Sequence, residues 1–128
     1  MKKILLVDDD SDISKIYSME FTKGGYEVHA ASDGAEALEM IKNQEWDLVL
    51  LDVQLPKLSG IDVLKTLKKE GNGILTKTPF FLLTNLGKDE LMEEAKDLGV
   101  RGMFVKALYK PSVLVEMINT YFAKNDPE

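Results

Sequence analysis

Short apolar runs alternate with longer amphipathic stretches along most of the chain. The apolar runs are rich in branched and aromatic residues and have few polar positions. Such runs are typical of strands that are buried on both faces of a parallel sheet. The pattern predicts five strands, over residues 3–7, 26–31, 47–51, 79–83 and 99–105.

The stretches that follow these runs have apolar residues at helical spacing. Asp10 or Ser11 can cap the first predicted helix. Ser32 or Asp33 can cap the second, and Pro111 suits the first turn of the last. The residues predicted to face the core are, helix by helix, Ile13, Ile16, Tyr17 and Phe21; Ala37, Leu38 and Ile41; Ile61, Leu64 and Leu67; Leu91, Ala95 and Leu98; and Leu114, Val115, Ile118 and Phe122.

Five strands that alternate with five helices predict an α/β fold with a doubly wound parallel sheet. Crossovers between parallel strands are almost always right-handed and place helices on both faces of the sheet. The length of 128 residues fits one domain with a proper core. We expect this domain to cover residues 1–123, and residues 124–128 to form a polar tail or the start of a linker.

Composition and charge narrow the classes of function. The formal net charge of -6 argues against nucleic-acid binding by this domain. The absence of cysteine excludes disulfides and thiolate metal sites. No apolar run approaches the roughly 20 residues that span a membrane, and the run after Met1 is too short for a signal peptide. We therefore expect a cytoplasmic protein without membrane contact.

Chemically capable side chains stand at the ends of four of the five predicted strands. Asp8 and Asp9 follow the first strand, and Asp52 follows the third. Thr84 ends the fourth, and Lys106 follows the fifth. Ligands of open parallel sheets bind beyond the carboxyl ends of the strands. We therefore expect these residues to meet at one edge of the sheet.

The predicted group has a specific chemical use. Three carboxylates this close repel one another unless a cation lies between them. Mg²⁺ is the natural ion, because it takes hard oxygen ligands, keeps several waters and accepts phosphate oxygens. A carboxylate beside Mg²⁺ can attack phosphorus and form an aspartyl phosphate. Lys106 can then pair with the phosphoryl oxygens, and Thr84 can donate a hydrogen bond to them.

The same residues also form a known sequence pattern. Its parts are VDD at residues 7–9, D-x-x-x-P-x-x-x-G at residues 52–60, LT at residues 83–84, and Lys106 at the end of the fifth strand. In this order and at these strand ends, the chain resembles the receiver domains of bacterial two-component response regulators. The resemblance covers nearly the whole chain.

The resemblance implies a flavodoxin-like sheet with the strand order 2-1-3-4-5. It implies that Asp52 accepts a phosphoryl group from the phosphohistidine of a sensor histidine kinase or phosphotransfer protein, and later loses it by hydrolysis. Thr84 and Lys106 would contact the phosphoryl group and carry the change to the surface around the fourth helix and fifth strand. Such a protein is a signalling switch that performs chemistry on its own aspartate, not an enzyme for an outside substrate.

The resemblance also implies a Mg²⁺ site. Asp9 and Asp52 would bind the ion through their side chains. Gln54 would bind it through its backbone carbonyl, and Asp8 would help through a water molecule.

Three positions depart from the pattern of this family. Met103 stands where the family often has a switching Tyr or Phe, so Phe104 or another group must substitute or the aromatic switch is absent. Ala107 stands where the family often has a proline in cis, which predicts a trans peptide bond. Asn85 stands where a smaller residue is common, and with Gln54 it is expected to set how fast the phosphoryl group leaves.

Two other functions compete with the receiver hypothesis. Met103 and Ala107 favour a phosphorylation-independent interaction scaffold on a receiver fold, whereas the intact acidic set opposes it. A D-x-D-x-T/V phosphohydrolase would use Asp8 and Asp10, but Asp12 stands where Thr or Val is required. The sequence identifies neither the kinase, the signal nor the downstream protein target. It also leaves open a homodimer, and whether these residues come from a longer regulator or hybrid kinase.

Overall fold

The computed structural model describes residues 1–85 and 89–125, without the side chains of 89–92. Five parallel strands form one sheet in the order β2-β1-β3-β4-β5, which confirms the predicted fold. The strands are β1 (Lys3–Val7), β2 (Glu27–Ala31), β3 (Leu48–Asp52), β4 (Phe80–Thr84) and β5 (Gly102–Val105).

Helices cover both faces of this sheet. The described residues form α1 (Ser11–Lys23), α2 (Gly34–Asn43), α3 (Gly60–Glu70), α4 (Ile74–Lys77), α5 (Asp89–Asp97) and α6 (Pro111–Asn125), with a 3-10 turn over Lys106–Leu108. The prediction of five helices missed α4, which lies between α3 and β4. With only four residues, α4 is too short to show an amphipathic repeat. The helix predicted after the fourth strand is therefore α5.

The core has two apolar layers, one on each face of the sheet. Alternate residues of each strand point to opposite faces, and every residue of β3 is buried. One layer contains residues of α2, α3 and α5, and the other contains residues of α1 and α6. Such two-sided coverage explains why the central strands are apolar at successive positions.

The face of α1 differs from its prediction at one position. Tyr17 and Phe21 are buried as expected, and Ile13 is half-buried against them. Ile16, however, is 52% exposed. These buried residues recur every four positions and make a narrow stripe, and Ile16 lies about 100° around the helix from Tyr17. The prediction for Ile16 was wrong.

Other predicted core positions are largely confirmed. Leu38 and Phe122 are half-buried against the core rather than fully enclosed. The side chain of Leu91 lies outside the described residues. The remaining residues predicted on α2, α3, α5 and α6 are buried.

Side-chain caps begin the helices that flank the carboxyl edge of the sheet. Asp10 caps α1 by accepting hydrogen bonds from the N–H groups of Asp12 and Ile13. Asp33 caps α2, and Pro111 begins α6, as predicted. Ser59 and Asp62 form a reciprocal capping box at the start of α3. These caps satisfy backbone N–H groups in the first turn of each helix and so fix where the helix begins.

Replacing Ser59 by Ala is expected to lower the free energy of unfolding by about 1 kcal/mol. The substitution removes the oxygen that accepts the Asp62 N–H at 3.0 Å. Chemical denaturation measures the change. Ser59→Asp is the matched control, because its carboxylate can accept the same bond. Equal losses in both variants would contradict the capping role.

No helix among the residues that the structure describes is long and apolar enough to cross a membrane.

Candidate functional site

The pairing of the strands brings the predicted residues to one edge of the sheet. Val7 of β1 lies opposite Leu51 of β3, so Asp8 and Asp52 come next on neighbouring strands. On the other side of β3, Asp52 lies opposite Leu83, one residue before Thr84. Thr84 in turn lies opposite Val105, directly before Lys106. Three strand pairings thus gather residues that are up to 98 positions apart.

Lys106 joins the two buried carboxylates of this edge. Its Nζ donates to Asp8 Oδ2 at 2.6 Å and to Asp52 Oδ2 at 2.9 Å. The Lys106 side chain is only 8% exposed, and the side chains of Asp8 and Asp52 are 1% and 9% exposed. Burial strengthens these charged hydrogen bonds, because little water competes for the same atoms.

Asp9 adds a third carboxylate from the solvent side. Asp8, Asp9 and Asp52 each offer an oxygen, and these oxygens all lie within 4.8 Å of one another. Asp9 is exposed, whereas the other two are buried. Three hard oxygen donors with one side open to water fit Mg²⁺, which keeps several of its waters when it binds protein carboxylates.

Backbone N–H groups fix the remaining carboxylate oxygens. Asp8 Oδ1 accepts the N–H of Asp10 at 3.0 Å. Asp52 Oδ1 accepts the N–H of Gln54 at 3.3 Å. The sequence prediction assigned Gln54 a role through its carbonyl, and the structure shows that its N–H orients Asp52.

The spacing of the D-x-x-x-P-x-x-x-G segment has a steric reason. The N–H of Gly60 donates to the carbonyl of Val53 at 2.9 Å. A Cβ at Gly60 would lie 2.2 Å from the carbonyl oxygen of Asp52, far inside van der Waals contact. The carbonyl of Pro56 accepts the N–H of Gly34 at 3.2 Å, which ties the same loop to the start of α2. Gly60 therefore allows α3 to begin directly against the strand end that carries Asp52.

Burial and charge shift the pKa values of Asp52 and Lys106. Burial raises the pKa of Asp52, and the charge of Asp8 adds to this, although the hydrogen bond and charge of Lys106 oppose it. For Lys106, burial alone lowers the pKa. The hydrogen bonds and charges of Asp8 and Asp52 outweigh burial, so the Lys106 pKa is raised. Lys106 is therefore a cation at neutral pH. Its positive charge does not fully offset the effect of burial and of Asp8 on the Asp52 carboxylate.

Thr84 is the last residue of β4, and Asn85 follows it. Thr84 is buried, and Asn85 is exposed. Asn85 lines a groove of about 290 Å³ together with Lys106, and its side walls include Tyr17 and Tyr109. The two tyrosines were not predicted as part of this site. Tyr17 was assigned only to the core, and nothing in its helical spacing shows that it lies beside Lys106.

The two remaining departures from the family pattern have structural counterparts. Met103 packs in the layer of α2, α3 and α5, whereas Phe104 is buried in the layer of α1 and α6. Phe104 thus faces the opposite side of the sheet and does not occupy the space of Met103. Residues 1–85 and 89–125 contain no cis peptide bond, so the predicted trans bond at Ala107 is confirmed.

Comparison with known families identifies this arrangement. Residues 4–119 match the family described as response regulator receiver domain. The chain belongs to this receiver domain family. A curated relative in the family, Sporulation initiation phosphotransferase F of Bacillus subtilis, is 34% identical over 105 residues, covering 82% of each chain.

A second curated relative and a solved structure give further matches. The Transcriptional regulatory protein CpxR homolog of Haemophilus influenzae is 42% identical over 89 residues, which are 70% of this chain. The match spans only 37% of that longer relative. The solved structure of the chemotaxis protein CheY4 of Vibrio cholerae has a TM-score of 0.83 and 31% identity, covering 94% of this chain and 98% of the other.

Proposed function

We propose that this receiver domain is a phosphoacceptor of a two-component phosphorelay, and that Asp52 is the residue that takes the phosphoryl group. The observation that supports this most is the position of Asp52. Its carboxylate lies in contact with the buried cation of Lys106 and within 4.8 Å of oxygens from Asp8 and Asp9. The domain proper is proposed to cover residues 1–123.

The bonds that form and break in the chemical step involve only Asp52 and the phosphodonor. An oxygen of the Asp52 carboxylate forms a bond to phosphorus while the bond from phosphorus to the donor histidine nitrogen breaks. The electron pair of that bond stays with the imidazole, which leaves as the neutral base after taking up a proton. Hydrolysis later returns Asp52 to a carboxylate and releases inorganic phosphate. The N–H of Gln54 orients the carboxylate for attack.

Two positive charges stabilise the negative charge of the transferred phosphoryl group. Asp9 and Asp52 would hold Mg²⁺, with Asp8 acting through water and Gln54 through its carbonyl. When bound, the ion supplies a positive charge for the phosphoryl oxygens. Lys106 supplies the second positive charge, and the Thr84 hydroxyl donates a hydrogen bond.

Phosphorylation would then act as a switch. The aspartyl phosphate adds roughly one to two negative charges and new acceptor oxygens beside Thr84 and Lys106. These side chains reorganise around it and change the surface formed by α5 and β5. A downstream protein responds to this change only if it binds one of the two conformational states of the domain better than the other. The partners are a sensor histidine kinase or phosphotransfer protein on one side, and a target protein on the other.

The direct test is the intact mass after incubation with acetyl phosphate. With Mg²⁺, we expect the gain of one phosphoryl group, and peptide mapping should place it on Asp52. With EDTA in place of Mg²⁺, we expect no gain. A folded protein that gains no mass with Mg²⁺ would refute the proposal and favour the phosphorylation-independent scaffold.

Removing the Asn85 side chain is expected to shorten the lifetime of the phosphoryl group by about threefold. Asn85 lines the groove beside Lys106, whose Nζ contacts Asp52. In the proposed mechanism the Asn85 side chain restricts the access of water to the phosphoryl group. The decay of the phosphorylated mass measures the lifetime of Asn85→Ala. Asn43→Ala, an exposed substitution at the end of α2, is the control. An unchanged or longer lifetime in Asn85→Ala would show that Asn85 does not restrict water.

A further inference from the structure

The segment directly after Lys106 has little local support. Lys106–Leu108 is a single 3-10 turn, and Val105, which precedes it, makes no side-chain capping bond. Leu108 is 71% exposed. Ala107 leaves its backbone dihedral angle φ free, where a proline ring would restrict it. The backbone that carries Lys106 must therefore be held by residues outside the turn.

Tyr109 provides such a contact at the end of the turn. Its ring meets the ring of Phe104 edge-on, with centroids 5.9 Å apart and planes at 87°. Phe104 is itself buried and stacked on Phe81, with centroids 5.4 Å apart. Phe81 contacts Tyr121 of α6 edge-on at 5.0 Å. Tyr109 is thus packed against a row of rings that belongs to β4, β5 and α6.

This contact closes a small loop around Lys106. Phe104 lies two residues before Lys106, and Tyr109 lies three residues after it. Packing their rings together joins the two ends of a six-residue segment and removes much of its conformational freedom. The Lys106 side chain leaves this closed segment and reaches both Asp8 and Asp52.

We propose that Tyr109 is a positioning residue, which acts through Phe104 to hold Lys106 against the phosphoacceptor site. The inference rests on the proposed function, because Lys106 is there the cation that stabilises the phosphoryl group. Tyr109 touches neither the phosphoryl group nor the Mg²⁺ ligands in this mechanism. Tyr109 affects the position of the Lys106 ammonium group. Stabilisation of the transferred phosphoryl group depends steeply on that position.

The test compares three single variants of the full chain. The initial rate of phosphoryl uptake from acetyl phosphate and Mg²⁺ is measured by intact mass, and Mg²⁺ affinity is measured by calorimetry. Tyr109→Ala is expected to take up the phosphoryl group about tenfold more slowly, with no loss of Mg²⁺ affinity. Tyr109→Phe keeps the ring and should retain the parental rate. Leu108→Ala, in the same turn but exposed, should also retain it.

A double variant tests whether Tyr109 acts through Phe104. If both rings serve one contact, Phe104→Leu and Tyr109→Ala together should slow uptake no more than the slower single variant. Two independent structural effects would instead multiply. Circular dichroism checks that each variant is folded, and Tyr109→Leu replaces Tyr109→Ala if the latter unfolds.

The outcomes separate this inference from the function on which it rests. A parent chain that takes up phosphate, together with a folded Tyr109→Ala that does so equally fast, would overturn the positioning role alone. Multiplying effects in the double variant, or a matching loss of Mg²⁺ affinity, would also overturn it. A parent chain that takes up no phosphate would overturn the proposed function and this inference together.

Discussion

Replacing Asp52 by Asn is expected to reduce phosphoryl uptake from acetyl phosphate by about 10³-fold or more. The amide nitrogen and oxygen of Asn are poor nucleophiles, and the variant also loses one anionic oxygen donor for Mg²⁺. The loss should not come from unfolding. Burial raises the pKa of Asp52, so the ionised carboxylate destabilises the folded state. A neutral Asn side chain does not carry this cost.

The matched control is Asp47→Asn at the opposite edge of the sheet. Asp47 is an exposed acid whose Oδ2 accepts the N–H of Lys3 at 2.7 Å, a bond that Asn can keep. Intact mass spectrometry over a time course compares both variants with the parent. Parental uptake by Asp52→Asn would show that another acid, such as Asp9, is the true acceptor.

Replacing Lys106 by Met is expected to lower the free energy of unfolding by about 3 kcal/mol at neutral pH. The substitution keeps an apolar stem of similar length and removes the cation that contacts Asp8 and Asp52 at 2.6 and 2.9 Å. Two buried carboxylates then face each other without this compensation. Denaturant titration measures the loss, and millimolar Mg²⁺ should restore part of it, since the ion binds only the folded site.

The pH dependence of the Lys106→Met variant has a definite sign. Lys106 lowers the Asp52 pKa, so its removal raises that pKa further above the value in the unfolded chain. A raised folded-state pKa means that the folded form binds the proton more tightly. The stability deficit should be small below about pH 4, where the acid is protonated in both states, and should grow as the pH rises through the folded-state pKa.

An exposed lysine serves as the control for this substitution. Lys65 pairs with Glu94 at 3.4 Å on the surface, and its side chain is 55% exposed. Lys65→Met should change stability little and without this pH dependence, because water screens such pairs. A Lys106→Met variant that is as stable as the parent at pH 7 would contradict the role of Lys106 as the compensating cation.

Local sequence determined much of the fold. The five apolar runs became the five strands, because segments buried on both faces must be apolar at successive positions. The starts of helices could be predicted from the sequence where a capping side chain precedes the first turn, as at Asp10 and Asp33. The strand order itself was implied by the family resemblance rather than by any local pattern.

The site residues were predictable for a related reason. Parallel strands run in the same direction, so whatever follows each strand arrives at the same edge of the sheet. This rule placed Asp8, Asp52, Thr84 and Lys106 together without knowledge of any contact. The alternation of side chains likewise separates Met103 from Phe104, but the spacing does not say which helices cover each face.

Contacts between distant segments were decided only by the tertiary structure. Lys106 can pair with one carboxylate or with two. The register of β1, β3 and β5 decides this, because it sets how far each strand end extends along the edge of the sheet. Ile16 is exposed because α1 turns a narrow stripe to the sheet. Tyr109 meets Phe104 across the 3-10 turn that lies between them. Sequence patterns report which residues avoid water and where strands end, whereas these contacts depend on how separate elements pack in space.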